Sequence, residues 1–438
     1  MAAKTQPGMS EEVYREMPQT RAAQPLLSRA YTIREAVLLT FCDPPPAKIA
    51  RLKDLSKREQ RSLLHWLDTS GLALYFLDRV TQIDQLDLIS QPMLTRLQEN
   101  MAGNTARMHA LIEESTALHR EFQRARLSYA ALKGFSFWPI SVPKPELRSQ
   151  LDLDFLMSEK DAPLARQILE ARGYRLHGMS GRSFEFKANV DPVASMGNLY
   201  KETPYRSVEI HVEPSETLGS ASLLARTDTL WFHDTSLPVL APVDLFLGQG
   251  LHVYRHVCSE FMRIGHLIEF RRHVISRHDD SSFWRQLREH AEDNPRATVG
   301  LGVATLVISQ VMGAFAPEAL TCWTVDRLPA GVRRWVSLYG HHAVLTAFPG
   351  SKLYLLLQKE LTDQSFPAKR SSLKALLPRC LPPAITHVAR GVTPRARFRL
   401  YRSQVFFLFF RLRFHLIQGF RYSRESVQWR RQFRSIEN

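Results

Sequence analysis

The sequence predicts an α+β protein, with a small mixed β-sheet core flanked by N-terminal and C-terminal helical regions. Short runs that alternate in character, Leu151 to Met157, Ser183 to Ala188 and Ser207 to Val212, cluster in the middle of the chain. On both sides of them apolar residues recur at helical spacing. A length of 438 residues, 44% of them apolar and 23% charged, is enough for two or three domains and a large core.

Residues 1–30 are polar, carry Pro7, Pro18 and Pro25, and are expected to have little fixed structure. A helical cap is predicted over 31–126. There Ile33, Ala36, Val37, Thr40 and Phe41 share one face, and Leu63, Leu64 and Leu67 another. Asp43-Pro-Pro-Pro separates the first helix from the next, and Thr105 to Arg124 forms a longer helix with Met108, Leu111, Ile112 and Leu118 inward.

The mixed core is expected over 127–216. Leu127 to Leu132 forms its first strand, a short helix begins at Phe135, and Leu151 to Met157 is the second strand. Ser158-Glu-Lys-Asp161 resembles a capping box and opens a helix that Gly173 stops. Tyr174 to Leu176 and Ser183 to Ala188 follow as strands, and Ser207 to Val212 completes a sheet with helices on one face. The polar stretch 189–206 is expected to loop over the site.

A helical domain is predicted over 217–365, with helices at Val243 to Val257, Met262 to Ile275, Phe283 to Ala291 and a buried one at Ala297 to Met312. Loops are expected at Phe315-Ala-Pro-Glu and Arg327-Leu-Pro-Ala-Gly. Residues 366–438 form a basic, aromatic tail, extended around Leu376-Leu-Pro and helical from Arg399 to Phe420.

Charge divides the chain sharply. Of the net +15, the tail holds nearly all: sixteen basic residues against Glu425 and Glu437, where the body before Phe366 has 42 basic and 41 acidic. Arg402, Phe406, Phe409, Phe410, Arg413 and Phe420 mix aromatics with arginines, which suits an anionic membrane surface or an RNA backbone. No run of about 18 apolar residues occurs, so no transmembrane segment is expected. Four cysteines without a C-x-x-C pair argue against a zinc site or a disulfide framework. With no secretory leader pattern, the expected location is cytoplasmic, and the tail leaves open peripheral membrane attachment, RNA binding or packing on the body.

The chemistry centres on Asp152 and Asp154. Strand side chains alternate, so both carboxylates project from one side, where they repel unless a cation lies between them. The natural occupant is a divalent metal, Mg²⁺ or Mn²⁺, accompanying a nucleoside triphosphate. Glu209, in Val208-Glu-Ile-His211, offers a third carboxylate; Glu185 and Glu213 are alternatives. His211, two residues on, shares the face of Glu209. His252 and His256 lie one helical turn apart, with His266 and His273 beyond, but Val253 stands where a zinc protease has Glu. A structural or substrate-side role is expected for that pair.

Lys133-Gly134, Arg148 four residues before Asp152-Leu-Asp154, a helix ending in Arg172-Gly-Tyr174, and then Val208-Glu-Ile-His211 together resemble the nucleotidyltransferase superfamily. Within it, the likeness is to the branch described as uncharacterised nucleotidyltransferases, and covers about residues 105–320. The resemblance implies transfer of a nucleoside monophosphate from an NTP to a hydroxyl acceptor, which nothing in the sequence selects. Asp152, Asp154 and Glu209 would be the catalytic, metal-holding acids, and Lys133, Gly134, Ser136, Arg148 and His211 would contact nucleotide. One departure is Phe135, which follows Gly134 where the superfamily has Ser or Gly. The alternative is a non-catalytic nucleotide-binding or scaffold relative whose tail docks to membrane or RNA.

Overall fold

In the computed structural model, which describes residues 29–189, 199–201, 206–214, 222–292, 294–362 and 394–434, seven strands build one sheet. They are β1 (Tyr129–Leu132), β2 (Asp152–Ser158), β3 (Arg175–Ser180), β4 (Ser183–Ala188), β5 (Arg206–Glu213), β6 (Thr227–Phe232) and β7 (Thr235–Leu240), in the spatial order β3-β4-β5-β2-β1-β7-β6. β2 pairs parallel to β5 and β1 parallel to β7, while the other neighbours are antiparallel. The sheet is therefore mixed, as predicted.

The helices are α1 (Arg29–Leu39), α2 (Lys57–Ser70), α3 (Ala73–Gln82), α4 (Gln91–Arg124), α5 (Ala162–Ala171), α6 (Pro242–Val257), α7 (Ile264–Ser276), α8 (Ser281–Ala291), α9 (Pro295–Met312), α10 (Glu318–Thr321), α11 (Ala330–Leu345), α12 (Tyr354–Thr362) and α13 (Pro394–Arg434). Three of these, α10, α11 and α12, have no counterpart among the helices predicted from the sequence. Ser56 caps α2 in a full capping box with Glu59. At α5 the expected box takes another form. Ser158 donates to the Asp161 carboxylate at 2.6 Å, which also accepts the Ser128 N–H at 2.9 Å, and the helix starts only at Ala162. Asp161 thus ties the turn to the entry of β1.

One face of the sheet is covered by α4 and α5. Ile112, Leu118, Phe122, Ala165 and Leu169 bury against Leu153, Phe155, Met157, Val208 and Ile210. On the other face a small cluster, Ala130, Leu156 and Leu240 with Leu245 of α6, covers only part of the surface. The second, larger core is helical, and α9 runs through it with Leu301, Val303, Ala304, Val307 and Ile308 fully buried. Among the described residues α9 is the one helix long and apolar enough to cross a membrane, yet 67% of it is buried inside the protein. It is a core helix.

The sheet continues where a helical pattern was expected. Residues 227–240 fold as the β6–β7 hairpin, and its turn residues His233 and Asp234 both take positive φ, 44° and 58°. Thr227, Thr229 and Trp231 alternate with Asp228 and Leu230, a two-residue period that the adjacent Leu223-Leu224 obscured. The segments 190–198 and 202–205, most of the expected loop, lie outside the described residues, as do 1–28 and the proline-rich run from Leu376.

Glu114 clamps this arrangement. Buried on α4, its carboxylate accepts from Arg172 at 2.9 and 3.2 Å, from Tyr174 at 3.0 Å and from Arg206 at 2.6 Å. It joins the end of α5 to the first residue of β5. Glu114→Gln leaves two guanidinium groups short of their counter-charge and is expected to cost about 3 kcal/mol, measured by urea denaturation. A loss under about 0.5 kcal/mol would show that the clamp carries no stability.

Candidate active site

Alternation on β2 sends Leu153, Phe155 and Met157 into the core beneath α4, and Asp152 and Asp154 to the open face. On β5, Val208 and Ile210 point to the same core, so Glu209 and His211 emerge beside the aspartates. The parallel register sets Asp154 directly opposite Glu209 and Leu156 opposite His211. From the far side β4 brings Ser183 opposite His211 and Glu185 opposite Glu209.

The side chains close into a network. Lys133 donates to Asp154 Oδ1 at 2.9 Å, and His211 Nε2 lies 3.1 Å from the same oxygen. Ser183 Oγ lies 2.7 Å from His211 Nδ1 and donates to Glu209 Oε1 at 2.7 Å. Ligating atoms of Asp154, Glu209 and His211 all lie within 4.8 Å of one another. Asp152 stands just outside that group. Burial, then the neighbouring Asp154 charge, push its carboxyl above the usual carboxylate range, and Glu209 adds to the shift. For Asp154 burial also raises the pKa, but the hydrogen bond from His211 and the charge of Lys133 outweigh it, so the group sits below its usual value.

This donor set fits a hard divalent cation. Carboxylates from two paired strands converge on one face with the His211 imidazole beside them, Asp154, Glu209 and His211 each offering a ligating atom. The other candidate acids are occupied. Glu185 pairs with Lys187 at 2.9 Å, and Glu213 accepts from Ser222 Oγ at 2.8 Å and from the Leu223 N–H at 2.7 Å.

The turn that leaves β1 is strained. Lys133 has φ 55° and ψ −157°, a region nearly restricted to glycine, and Gly134 follows with φ 49°. A Cβ on Gly134 would meet Gln150 Nε2 at 2.3 Å. Gln150 is held there because its amide donates to the Asp152 carbonyl at 2.7 Å. Ser136, expected near phosphate, is buried and donates to the Lys133 carbonyl at 2.7 Å. Phe135 stacks on Phe232 at 5.1 Å within the core under α4, so its ring points away from the acids.

Beside Asp152 opens a cleft also lined by Arg148, Gln150, Arg263, His266, Glu269 and Tyr75. Arg148 donates to Glu269 at 3.1 Å and to Gln150 at 3.3 Å. Burial raises the Glu269 pKa, but Arg148, His266 and Tyr75 overcome it and hold the carboxyl down to about 2. Arg148 is thus an ion-paired wall of the cleft. Sequence reasoning missed Ser183, Arg263 and Glu269. No motif marks them, and their parts follow from strand pairing and from the way α7 packs beside β2.

A family model described as "Uncharacterised nucleotidyltransferase" matches residues 56–313, more than half of the chain. No curated protein matches it. Among solved structures, an antigenic nucleotidyltransferase-like protein from Paracoccidioides brasiliensis is similar at 12% identity with a TM-score of 0.28, covering 49% of this chain and 96% of that one.

Gly134→Ala forces a left-handed alanine against Gln150. It is expected to cost at least about 1–2 kcal/mol in urea denaturation. Unchanged stability would mean that the turn has room to relax.

Proposed function

Since the chain belongs to the uncharacterised nucleotidyltransferase family, we propose that it moves a nucleoside monophosphate from an NTP to a hydroxyl acceptor in a Mg²⁺-dependent reaction. The observation that carries this reading is the placing of Asp154 opposite Glu209, with Asp152 on the same face, beside the Lys133-Gly134 turn. In this reading residues 127–216, extended by the β6–β7 hairpin, form the catalytic core, and the helical regions 31–126 and 217–365 wall the cleft. A divalent cation, Mg²⁺ or Mn²⁺, held by Asp152, Asp154 and Glu209 would supply the charge that offsets the phosphate oxygens.

The chain's own residues account for the remaining steps. Arg263, which lines the cleft, and Lys133, on Asp154, neutralise the triphosphate, while Arg148 fixes the wall behind Asp152. The acceptor oxygen bonds to the α-phosphorus as the bond to the β-phosphate oxygen breaks and pyrophosphate leaves. The acceptor's proton passes to the network of Glu209, Ser183 and His211. Phe135, seated in the core, leaves this face clear.

The tail adds a location. Tyr401, Val405, Phe409, Leu412, Leu416 and Phe420 recur three or four residues apart on α13, and all are exposed. Phe414 and Trp429 on the opposite side are buried, and Trp429 donates to Glu360 at 2.8 Å. α13 holds eleven arginines and a single acid, Glu425, whose carboxylate is tied to Tyr339 at 3.1 Å. An outward apolar stripe among arginines suits an anionic bilayer surface, at about 1 kcal/mol per basic residue near it. Two such faces from separate copies would repel. In this reading the protein is cytoplasmic and attaches peripherally to membrane through α13.

Two measurements test these readings. With each labelled NTP in turn, Mg²⁺ and a panel of hydroxyl acceptors, wild type is expected to release pyrophosphate at least about 100-fold faster than Asp154→Asn or Asp152→Asn. Equal release by all three would remove the enzymatic reading in favour of the non-catalytic one. For the tail, wild type is expected to pellet with vesicles of mixed neutral and anionic lipid, less so in high salt, and the triple variant Phe409→Asp/Leu416→Asp/Phe420→Asp to stay in solution. Unchanged pelleting of the variant, or binding to RNA but not to vesicles, would overturn the membrane assignment.

A further inference from the structure

We propose that His252, His256 and His266 form a second metal centre at the junction of α6 and α7, nitrogen-rich and suited to a transition ion, Zn²⁺ foremost. His252 and His256 stand one turn apart on α6, and α7 supplies His266 as its third residue. The ring centroids lie 4.7, 4.8 and 5.0 Å apart, and each ring offers a nitrogen within 4.8 Å of the other two. Nitrogen ligands sit about 2.0–2.1 Å from Zn²⁺, so two nitrogens sharing an ion lie at most ~4 Å apart. Binding an ion would therefore draw the three nitrogens closer together than they stand here.

The surroundings resemble the supports of a ligand set. His266 Nδ1 faces Glu269 Oε2 at 3.4 Å, and His256 hydrogen-bonds the Phe261 backbone. A carboxylate or carbonyl behind an imidazole fixes which nitrogen is free to ligate. Glu269 is itself held, by Arg148 at 3.1 Å and Tyr75 at 2.9 Å. Burial, then the neighbouring His266 ring, lowers the pKa of both His252 and His256.

The two candidate centres differ in chemistry. Carboxylates around Asp154 suit Mg²⁺, whereas three imidazoles select a softer ion and leave a fourth position open. The zinc-protease motif is absent because Val253 stands where its catalytic Glu would follow the first His, but a three-histidine metal site needs no Glu there. Since His266 lines the same cleft as Asp152, an ion there would lock α6 to α7 and hold Glu269, and through it Arg148, in place. The inference stands independently of nucleotidyl transfer.

The test is to strip the full-length protein with a chelator and titrate it with Co²⁺ in excess Mg²⁺, reading visible d–d absorption and bound metal per chain. One Co²⁺ per chain is expected, displaced by Zn²⁺, retained in Asp154→Asn/Glu209→Gln and lost in His252→Gln and His256→Gln. Circular dichroism of the chelated variants checks their fold. Absence of stoichiometric Co²⁺ uptake by wild type overturns the proposal. So does a spectrum that survives both histidine substitutions, or one that disappears with Asp154→Asn/Glu209→Gln.

Discussion

The structure turns on a repulsion. Parallel pairing of β2 with β5 forces Asp154 and Glu209 into adjacent positions, with Asp152 two residues away on the same face. Placing like charges side by side on paired strands is unfavourable, and burial of the aspartates makes it more so. The protein offsets the cost locally with Lys133 and His211 on one oxygen of Asp154 and Ser183 on Glu209. Burial, then the Asp154 charge, raises the Asp152 pKa, while Arg148 and Lys133 lower it. An arrangement retained at such cost, at the end of a strained Lys133-Gly134 turn, is what a charge-binding site requires.

Behind that face, rigidity comes from buried ion pairs that stabilise only as complete sets. Glu269 collects Arg148, Tyr75 and His266, and Glu114 collects Arg172, Arg206 and Tyr174. Each carboxylate joins elements far apart in the chain. Glu114 fixes the start of the strand that bears Glu209, and Glu269 holds the arginine that lines the cleft beside Asp152. Gln150 completes the support by filling the space that Gly134 leaves open. The same Glu269 stands behind His266, so the proposed nitrogen-rich centre and the acid-rich one share a wall.

α13 inverts the usual amphipathic logic. Its polar and small groups meet the body along with Phe414 and Trp429, while most of its large apolar side chains face outward. Arg411 pairs with Glu260 and Tyr339 with Glu425, so the helix is anchored by contacts that leave the aromatic stripe free. A stripe of that extent on a soluble surface marks a place of interaction.

Much of this was legible in the sequence, because strand alternation and helical period are consequences of local backbone geometry. They put Asp152 and Asp154 on one face, separated the sheet from its flanking helices, and marked the tail as basic and aromatic. The β6–β7 hairpin was also written in local alternation but lay next to a leucine pair that reads as helix. Other points depended on residues far apart in the chain. Glu209 rather than Glu185 or Glu213 joins the aspartates because of strand register and because Lys187 and Ser222 engage the other two. Arg148 became part of a wall because Glu269 sits 121 residues away in sequence and 3.1 Å away in space. Which side of α13 turns outward was likewise decided by what the body offers to bury. A side chain's direction is set by its neighbours along the chain, but its partner is set by the packing of the whole fold, and only the tertiary structure contains that.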